Sequence, residues 1–323
     1  MMYEFRTDLA DERRDIYKKA NKLEEIDGIE TQEKEVGKGM KVSTVKVLNR
    51  QAEEAIGKPI GSYITIDVTN LKVAEETEIQ QAAEVVAEEL KKLIQPLVSQ
   101  KEDILVVGLG NESVTPDALG PKVVNDIDVT RHIIRYLPQY IDENARPVSA
   151  ISPGVLGTTG IETLEIVKGI VENIHPKLLI VIDSLASRSI QRISSSIQLA
   201  DTGIVPGAGV GNKRKELSKD TVGIPVIAIG IPTVVEAATI AADSIDLFIE
   251  KMNQGLQGEN TNYSEEMQKV QKALSELMEG DKYELIKQIL APEEYNFIVT
   301  PKEIDDLVIN MAGVVARGIN MAV

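Results

Sequence analysis

Apolar and polar positions repeat with two different periods along this chain, and the change of period outlines its elements. Residues 41–49, KVSTVKVLN, and 61–69, GSYITIDVT, read as strands joined through Gly57-Lys58-Pro59, the second alternating with period two. Before them, residues 1–40 are dense in charge and read as an arm with some helix. Residues 78–97, EIQQAAEVVAEELKKLIQPL, carry apolar side chains at helical spacing and stop near Pro96.

From residue 103 onward the pattern becomes strand, helix, strand. DILVVGL leads into a helix expected from about Asp117 to Tyr136, and PVSAISP leads through GVLGTTG into IETLEIVKGIVENI. PKLLIVIDSLA is the most continuous apolar run, and IPVIAIGIP precedes the helical pattern TVVEAATIAADSIDLFIEKM. Continuous apolar strands between amphipathic helices belong to sheets covered on both faces. The expected fold is α/β, a layered fold with a largely parallel central sheet flanked by helices, extended by N-terminal strands and C-terminal helices. A polar, glycine-bearing linker is expected at 254–262, separating a core that ends at residue 253 from a helical segment, 263–323, packed upon it.

Composition narrows the chemistry. A chain of 323 residues, 43% of them hydrophobic, can bury a sizeable core without cross-links. It has no cysteine, which excludes disulfides, thiol catalysis and thiolate metal sites and fits a cytoplasmic location. Its 51 acidic and 35 basic residues give a net charge of −16, so a phosphate backbone is repelled and nucleic acid is a poor direct partner. No apolar run approaches the ~18 residues of a membrane span, and no membrane partner is expected. The opening MMYEFRTDLADERRD is charged throughout, unlike a secretory signal.

Three stretches resemble familiar motifs and fail on spacing. In GLGNESVTPDALG, Gly108 and Gly110 are followed by no glycine until Gly120, which breaks the dinucleotide fingerprint, and Glu112 and Asp117 would repel a pyrophosphate. In PGAGVGNKRK, Gly211 is followed by Asn212-Lys213-Arg214, so both the register and the terminal hydroxyl of a phosphate loop are missing. Asp201-Thr202-Gly203 matches the pepsin-type triplet, but it occurs once and amid alternating strands and helices, so it reads as a turn. His132 and His175 are the only histidines and read as surface residues outside any zinc motif.

Carboxylates remain. In open α/β sheets ligands bind beyond the carboxyl ends of the strands. Asp183 closes LLIVID and Asp117 follows ILVVGLGN, so both lie in such a place. Two acids meeting there can share a proton, one activating water while the other donates to a carbonyl. Each also has a plainer role: Thr115-Pro116-Asp117 suits a helix start, and Asp183-Ser184 suits a cap. Asp67, ending YITID, is comparably placed, and position alone does not choose among the three.

RTDLADE, GLGNESVTPDALGP, SPGVLGTTGIET, IDSLASRS, DTGIVPGAGVGNKRKELS, GIPTVVEAAT and VTPKEID occur in this order across nearly the whole chain. Together they resemble the spore germination protease family of endospore-forming bacteria. The resemblance implies an endopeptidase that begins the breakdown of small acid-soluble spore proteins during germination, in the cytoplasm of forespore and spore core. It implies an aspartic-type mechanism, a homotetramer, and a fold similar to that of hydrogenase maturation proteases, with the catalytic aspartates falling on Asp117 and Asp183. It also implies a precursor that removes its own N-terminal segment. The family cuts after an acid and before a hydrophobic residue followed by alanine, a pattern met by Asp8-Leu9-Ala10, so residues 1–8 form the expected propeptide. Phe5 stands where substrates carry a further acid, although Glu4 is adjacent. A charged terminal segment is expected to be exposed and easily cut.

Arg188, Arg192, Lys213 and Arg214 are candidates to hold the acidic side chain before the cut. Maturation proteases use a metal held partly by histidine. GIPTVVEAAT has none, so neither metal nor other cofactor is expected. The competing readings are a metal-dependent peptidase using the same carboxylates and a non-enzymatic module that binds spore proteins.

Overall fold

A sheet whose strands are apolar on both sides must be covered on both sides, and this one is. The computed structural model describes residues 7–37, 39–68, 75–207, 214–256, 279–290 and 297–323. Among them one sheet is formed by β1 (Ile29–Val36), β2 (Met40–Val47), β3 (Gly61–Asp67), β4 (Ile104–Gly108), β5 (Val148–Ile151), β6 (Leu178–Ser187), β7 (Ser196–Ala200), β8 (Val226–Glu236) and β9 (Ile298–Val299). The helices are α1 (Ala10–Asn21), α2 (Arg50–Ile56), α3 (Glu76–Ile94), α4 (Leu119–Asn125), α5 (Arg131–Tyr136), α6 (Leu156–Thr159), α7 (Thr163–Ile174), α8 (Lys219–Val222), α9 (Ala237–Leu256), α10 (Glu279–Leu290) and α11 (Ile304–Ala322).

The strand order is β1-β2-β3-β7-β8-β6-β4-β5, with β9 added to β8. The α/β alternation yields the parallel centre, β8-β6-β4-β5. The N-terminal strands and β7 extend it as an antiparallel flank. On one face α3, α4 and α11 bury Val106, Ile180 and Ile229. On the other, α7 covers Leu105, Val107 and Val181, while α1 and α2 cover Val45, Tyr63 and Ala228. Each large aliphatic side chain fully buried in this way contributes about 1.5–3 kcal/mol. Alternate residues of β6 therefore serve opposite layers, and Asp183 points to the α7 side with Leu179 and Val181.

Three elements differ from the pattern-based expectation. Besides the helix expected in it, α1, the charged arm contains a complete edge strand, β1, whose IETQEKEV is mostly solvent-facing. The helix expected from Asp117 to Tyr136 is split into α4 and α5. Asn320 of α11 holds the break: its Oδ1 accepts from the Asp128 N–H and its Nδ2 donates to the Asp126 carbonyl, each at 3.0 Å. Strand β8 runs on through Thr233-Val234-Val235, where a helix was expected to begin, because Val235 pairs with β6 on one side and β9 on the other. The expected linker falls partly in the last turn of α9, and residues 257–262 lie outside the described residues.

Candidate active site

Glycines let the end of β4 meet the start of α4 backbone to backbone. A Cβ on Gly108 would lie 2.1 Å from the Gly120 carbonyl oxygen, and one on Gly110, at φ +116°, would lie 1.9 Å from that of Asp117. The turn so formed delivers Asp117. The Asn111 N–H donates both to the Asp117 carbonyl, at 3.0 Å, and to its Oδ2, at 2.9 Å. Thr115-Pro116-Asp117 forms a 3-10 turn whose preceding residue, Val114, supplies no side-chain cap. The Asp117 carboxylate takes its backbone donor from the loop, so the helix-cap role does not describe it.

Asp183 lies within β6, one residue beyond the last pairing of β4, Gly108 with Ile182. It is 4% exposed. Its Oδ1 accepts from the Ser184 N–H at 2.9 Å, and the Gly207 N–H also donates to the carboxyl. Burial raises its pKa well above the usual carboxylate range, and the charges of Asp117 and Asp8 raise it further, against the two N–H donors. Burial raises Asp117 too, opposed by the Asn111 N–H and the Arg214 guanidinium.

A cavity of about 350 Å³ joins these groups, lined by Asp8, Asp117, Asp183, Arg214 and Thr233. Thr233 is the extra residue of a bulge in β8, since Leu185 pairs with Pro232 and Ala186 with Val234. Its Oγ1 donates to the Pro116 carbonyl at 2.7 Å, and its own carbonyl accepts from Thr300 Oγ1 at 2.9 Å. The bulge thus fastens the Asp117 turn to the sheet.

The other residues singled out in the sequence lie elsewhere. Asp67 accepts from Arg192 Nη1 at 2.6 Å and from Ser196 Oγ at 2.8 Å, away from the cavity. Arg192 also pairs with Asp11 of α1, so its guanidinium joins α1 to β3. Arg188 donates to Asp243 at 2.7 Å. Of the cations proposed to hold a substrate acid, Arg214 lines the cavity, and Lys213 lies outside the described residues. His132 and His175 are exposed, the latter capping α7 at φ 54°. Asp201 accepts from the Ser62 N–H at 2.8 Å in a turn. Among the described residues no group of three or more His, Cys, Asp or Glu is placed to hold a metal ion.

The N-terminal segment is not exposed as expected. Thr7, Leu9 and Ala10 are each 0% exposed and Asp8 is 8% exposed. Asp8 lies along the end of β6: its N–H donates to the Ala186 carbonyl at 2.8 Å, and its Oδ2 accepts from the Ala186 N–H at 2.9 Å. Glu12 accepts from the N–H groups of Arg188 and Ser189 at 2.8 and 3.1 Å, and burial raises its pKa. Gln198, 7% exposed, completes the clamp. Its Nε2 donates to the Asp8 carbonyl at 3.1 Å and its Oε1 accepts from the Ala10 N–H at 2.7 Å. Charge alone predicted exposure; the backbone of residues 8–10 is instead fully hydrogen-bonded, which makes its burial affordable. Gln198 was missed, although one amide in the apolar strand SIQLA signals a buried group that needs partners.

The germination protease family model matches residues 6–269 and 253–323. The chain belongs to the germination protease family. It is 46% identical over 321 residues to a germination protease of Clostridium perfringens, covering 99% of this chain and 95% of that one. Against a germination protease of Caldanaerobacter subterraneus it is 47% identical, over 98% of this chain and 93% of the other. A germination protease of Bacillus cereus is 43% identical over 99% of this chain and 94% of its own. Among solved structures, a [NiFe] hydrogenase maturation protease of Thermococcus kodakarensis matches 44% of this chain and 80% of its own at 18% identity, with a TM-score of 0.27. Family membership makes the chain a peptidase.

Proposed function

We propose that the chain is a self-activating aspartic-type endopeptidase that cuts between Asp8 and Leu9, then opens small acid-soluble spore proteins within the spore. The observation that carries this reading is that Asp8, the residue before the expected cut, lines the same cavity as Asp117 and Asp183. Of the expected propeptide, residues 1–8, residues 1–6 lie outside the described residues.

Like charges in one cavity cannot both ionise cheaply, so the pair keeps one proton, on the more buried Asp183. The Asp117 carboxylate then takes a proton from water as the water oxygen attacks the peptide carbonyl carbon, while Asp183 donates to the carbonyl oxygen. Collapse of the tetrahedral species breaks the C–N bond, the proton held by Asp117 passes to the departing nitrogen, and a hydroxyl proton of the new acid returns to Asp183. Arg214, in the cavity wall, is the described cation best placed to receive a substrate's acidic side chain in trans. The family resemblance supports assembly as a homotetramer, a state that light scattering would report directly.

Purified precursor incubated alone should shorten to a chain whose N-terminal sequence begins Leu-Ala-Asp-Glu. It should then cut a small acid-soluble spore protein after acidic residues, at a rate unchanged by dialysis against a strong chelator. A start after Arg13 or Arg14 would indicate a foreign trypsin-like enzyme. Activity lost on chelation and restored by one divalent metal would replace the aspartic mechanism with a metal-dependent one, and binding without cleavage would leave a non-enzymatic module.

A further inference from the structure

Asp183 of β6, Gly230 of β8 and Gln198 of β7 stand in one row across the sheet: Asp183 pairs with Gly230, and Gly230 with Gln198. Side chains in register on adjacent strands share a face, and neighbouring strands lie about 4.8 Å apart. Asp183 and Gln198 therefore project from the same face, about 10 Å apart at their backbones by that spacing, with a glycine between them. The space above Gly230 is taken by Leu185, since a Cβ there would lie 2.4 Å from Leu185 Cδ1. At the Gln198 end of this row the amide holds the segment Asp8-Leu9-Ala10.

The amide of Gln198 has only one workable orientation. The Ala10 N–H can only donate, so the amide oxygen must face it, which turns Nε2 toward the Asp8 carbonyl. That carbonyl belongs to the peptide bond between Asp8 and Leu9. The geometry points to Gln198 as a catalytic residue of self-cleavage, donating a hydrogen bond to the scissile carbonyl oxygen. This rests on the cut at Asp8–Leu9 proposed above.

In the strand order Gln198, on β7, and the aspartates, at the ends of β6 and β4, stand on opposite sides of β8, and Asp8 bonds both to β6, at Ala186, and to Gln198. As water adds to the Asp8 carbonyl carbon, the C=O π pair moves onto oxygen, adding a third lone pair, and two of the three meet donors. One receives the Asp183 proton and the other the Gln198 Nε2–H. The developing charge meets a donor already aimed and buried, so little reorganisation is needed at the moment of reaction. As the C–N bond breaks, the proton that Asp117 took from water passes to the Leu9 nitrogen and the hydroxyl proton returns to Asp183, which restores the carbonyl and releases Leu9 as the new N-terminus. Because the Gln198 oxygen simultaneously holds the Ala10 N–H, the amide also fixes the backbone on the far side of the cut.

First-order self-cleavage of the full-length precursor, scored by appearance of the Leu-Ala-Asp-Glu terminus, tests this with two variants. Gln198→Ala removes donor and acceptor. Gln198→Glu, when ionised, keeps an acceptor for Ala10 N–H and loses the donor, and regains a donor when protonated. Both variants should be slowed about 10²–10³-fold at neutral pH, the usual loss on removing one such donor. In Gln198→Glu the Leu9 and Ala10 amides should stay as protected from hydrogen exchange as in the parent, and its rate relative to the parent should recover as pH falls. An unchanged rate in either variant overturns the assignment. So does a slowed Gln198→Glu whose ratio to the parent is flat with pH, or whose amides lose protection, because then the glutamine only docks the segment. If the parent does not cut at Asp8–Leu9 and Asp117→Asn behaves like it, the underlying self-cleavage reading fails. If Asp117→Asn abolishes the cut and the Gln198 variants do not slow it, this inference alone fails.

Discussion

Gly110 shows how a single missing side chain places an acid. Its φ of +116° is costly for other residues, and an added Cβ would meet the Asp117 carbonyl at 1.9 Å. Gly110→Ala should therefore displace Asp117, lowering stability by about 1–3 kcal/mol and activity by more than that stability loss would explain. Chemical denaturation and a cleavage assay on the same preparation check both. Asp183 makes a second prediction, through linkage. Its folded pKa stands well above the ordinary value of 3.8, so in the window between them the native chain holds a proton that the unfolded chain has released. Stability then falls as pH rises through that window and is highest below it. Asp183→Asn should be more stable than the parent above the window and equal to it below, as thermal melts across pH would show. At this scale the two aspartates were visible in the sequence as acids at strand ends. Position left them level with Asp67 and the family resemblance singled them out; that Arg192 and Ser196 occupy Asp67 only tertiary contacts reveal.

Between elements, α1 is fixed to the sheet by contacts that link it to the site. Arg192 forks between Asp11 of α1 and Asp67 of β3, all three side chains at most one-third exposed. Arg192→Met leaves two carboxylates facing each other without their cation, and should cost about 1–3 kcal/mol in urea unfolding. Hydrogen-exchange protection of Leu9 and Ala10 should fall with it. The central strands were readable because both of their faces are apolar. Edge strand β1 was not, because IETQEKEV faces water along most of its length, as strands that must resist edge-to-edge pairing do. The extension of β8 past Pro232 was equally hidden, since Thr-Val-Val-Glu fits either a strand or a helix, and pairing with β6 and β9 decides. The split between α4 and α5 depends on Asn320, which lies 192 residues from Asp128 in sequence.

For the whole molecule, the sheet acts as a bench on which strand ends, a glycine turn and the N-terminal segment are brought to one cavity. Its most consequential feature is that a charged terminus, expected in solvent, lies buried against the end of β6 with the Asp8 carbonyl in hydrogen-bond contact. The central claim is that Asp117 and Asp183 cut as one unit. The most direct test compares cleavage of one acid-Leu-Ala substrate by the parent, Asp117→Asn, Asp183→Asn and the double variant, each verified as folded. Each single variant should lose at least about 10²–10⁴-fold, the worth of general acid–base assistance, and the double variant should be little slower than either. A folded single variant that cuts at near the parental rate would contradict the account.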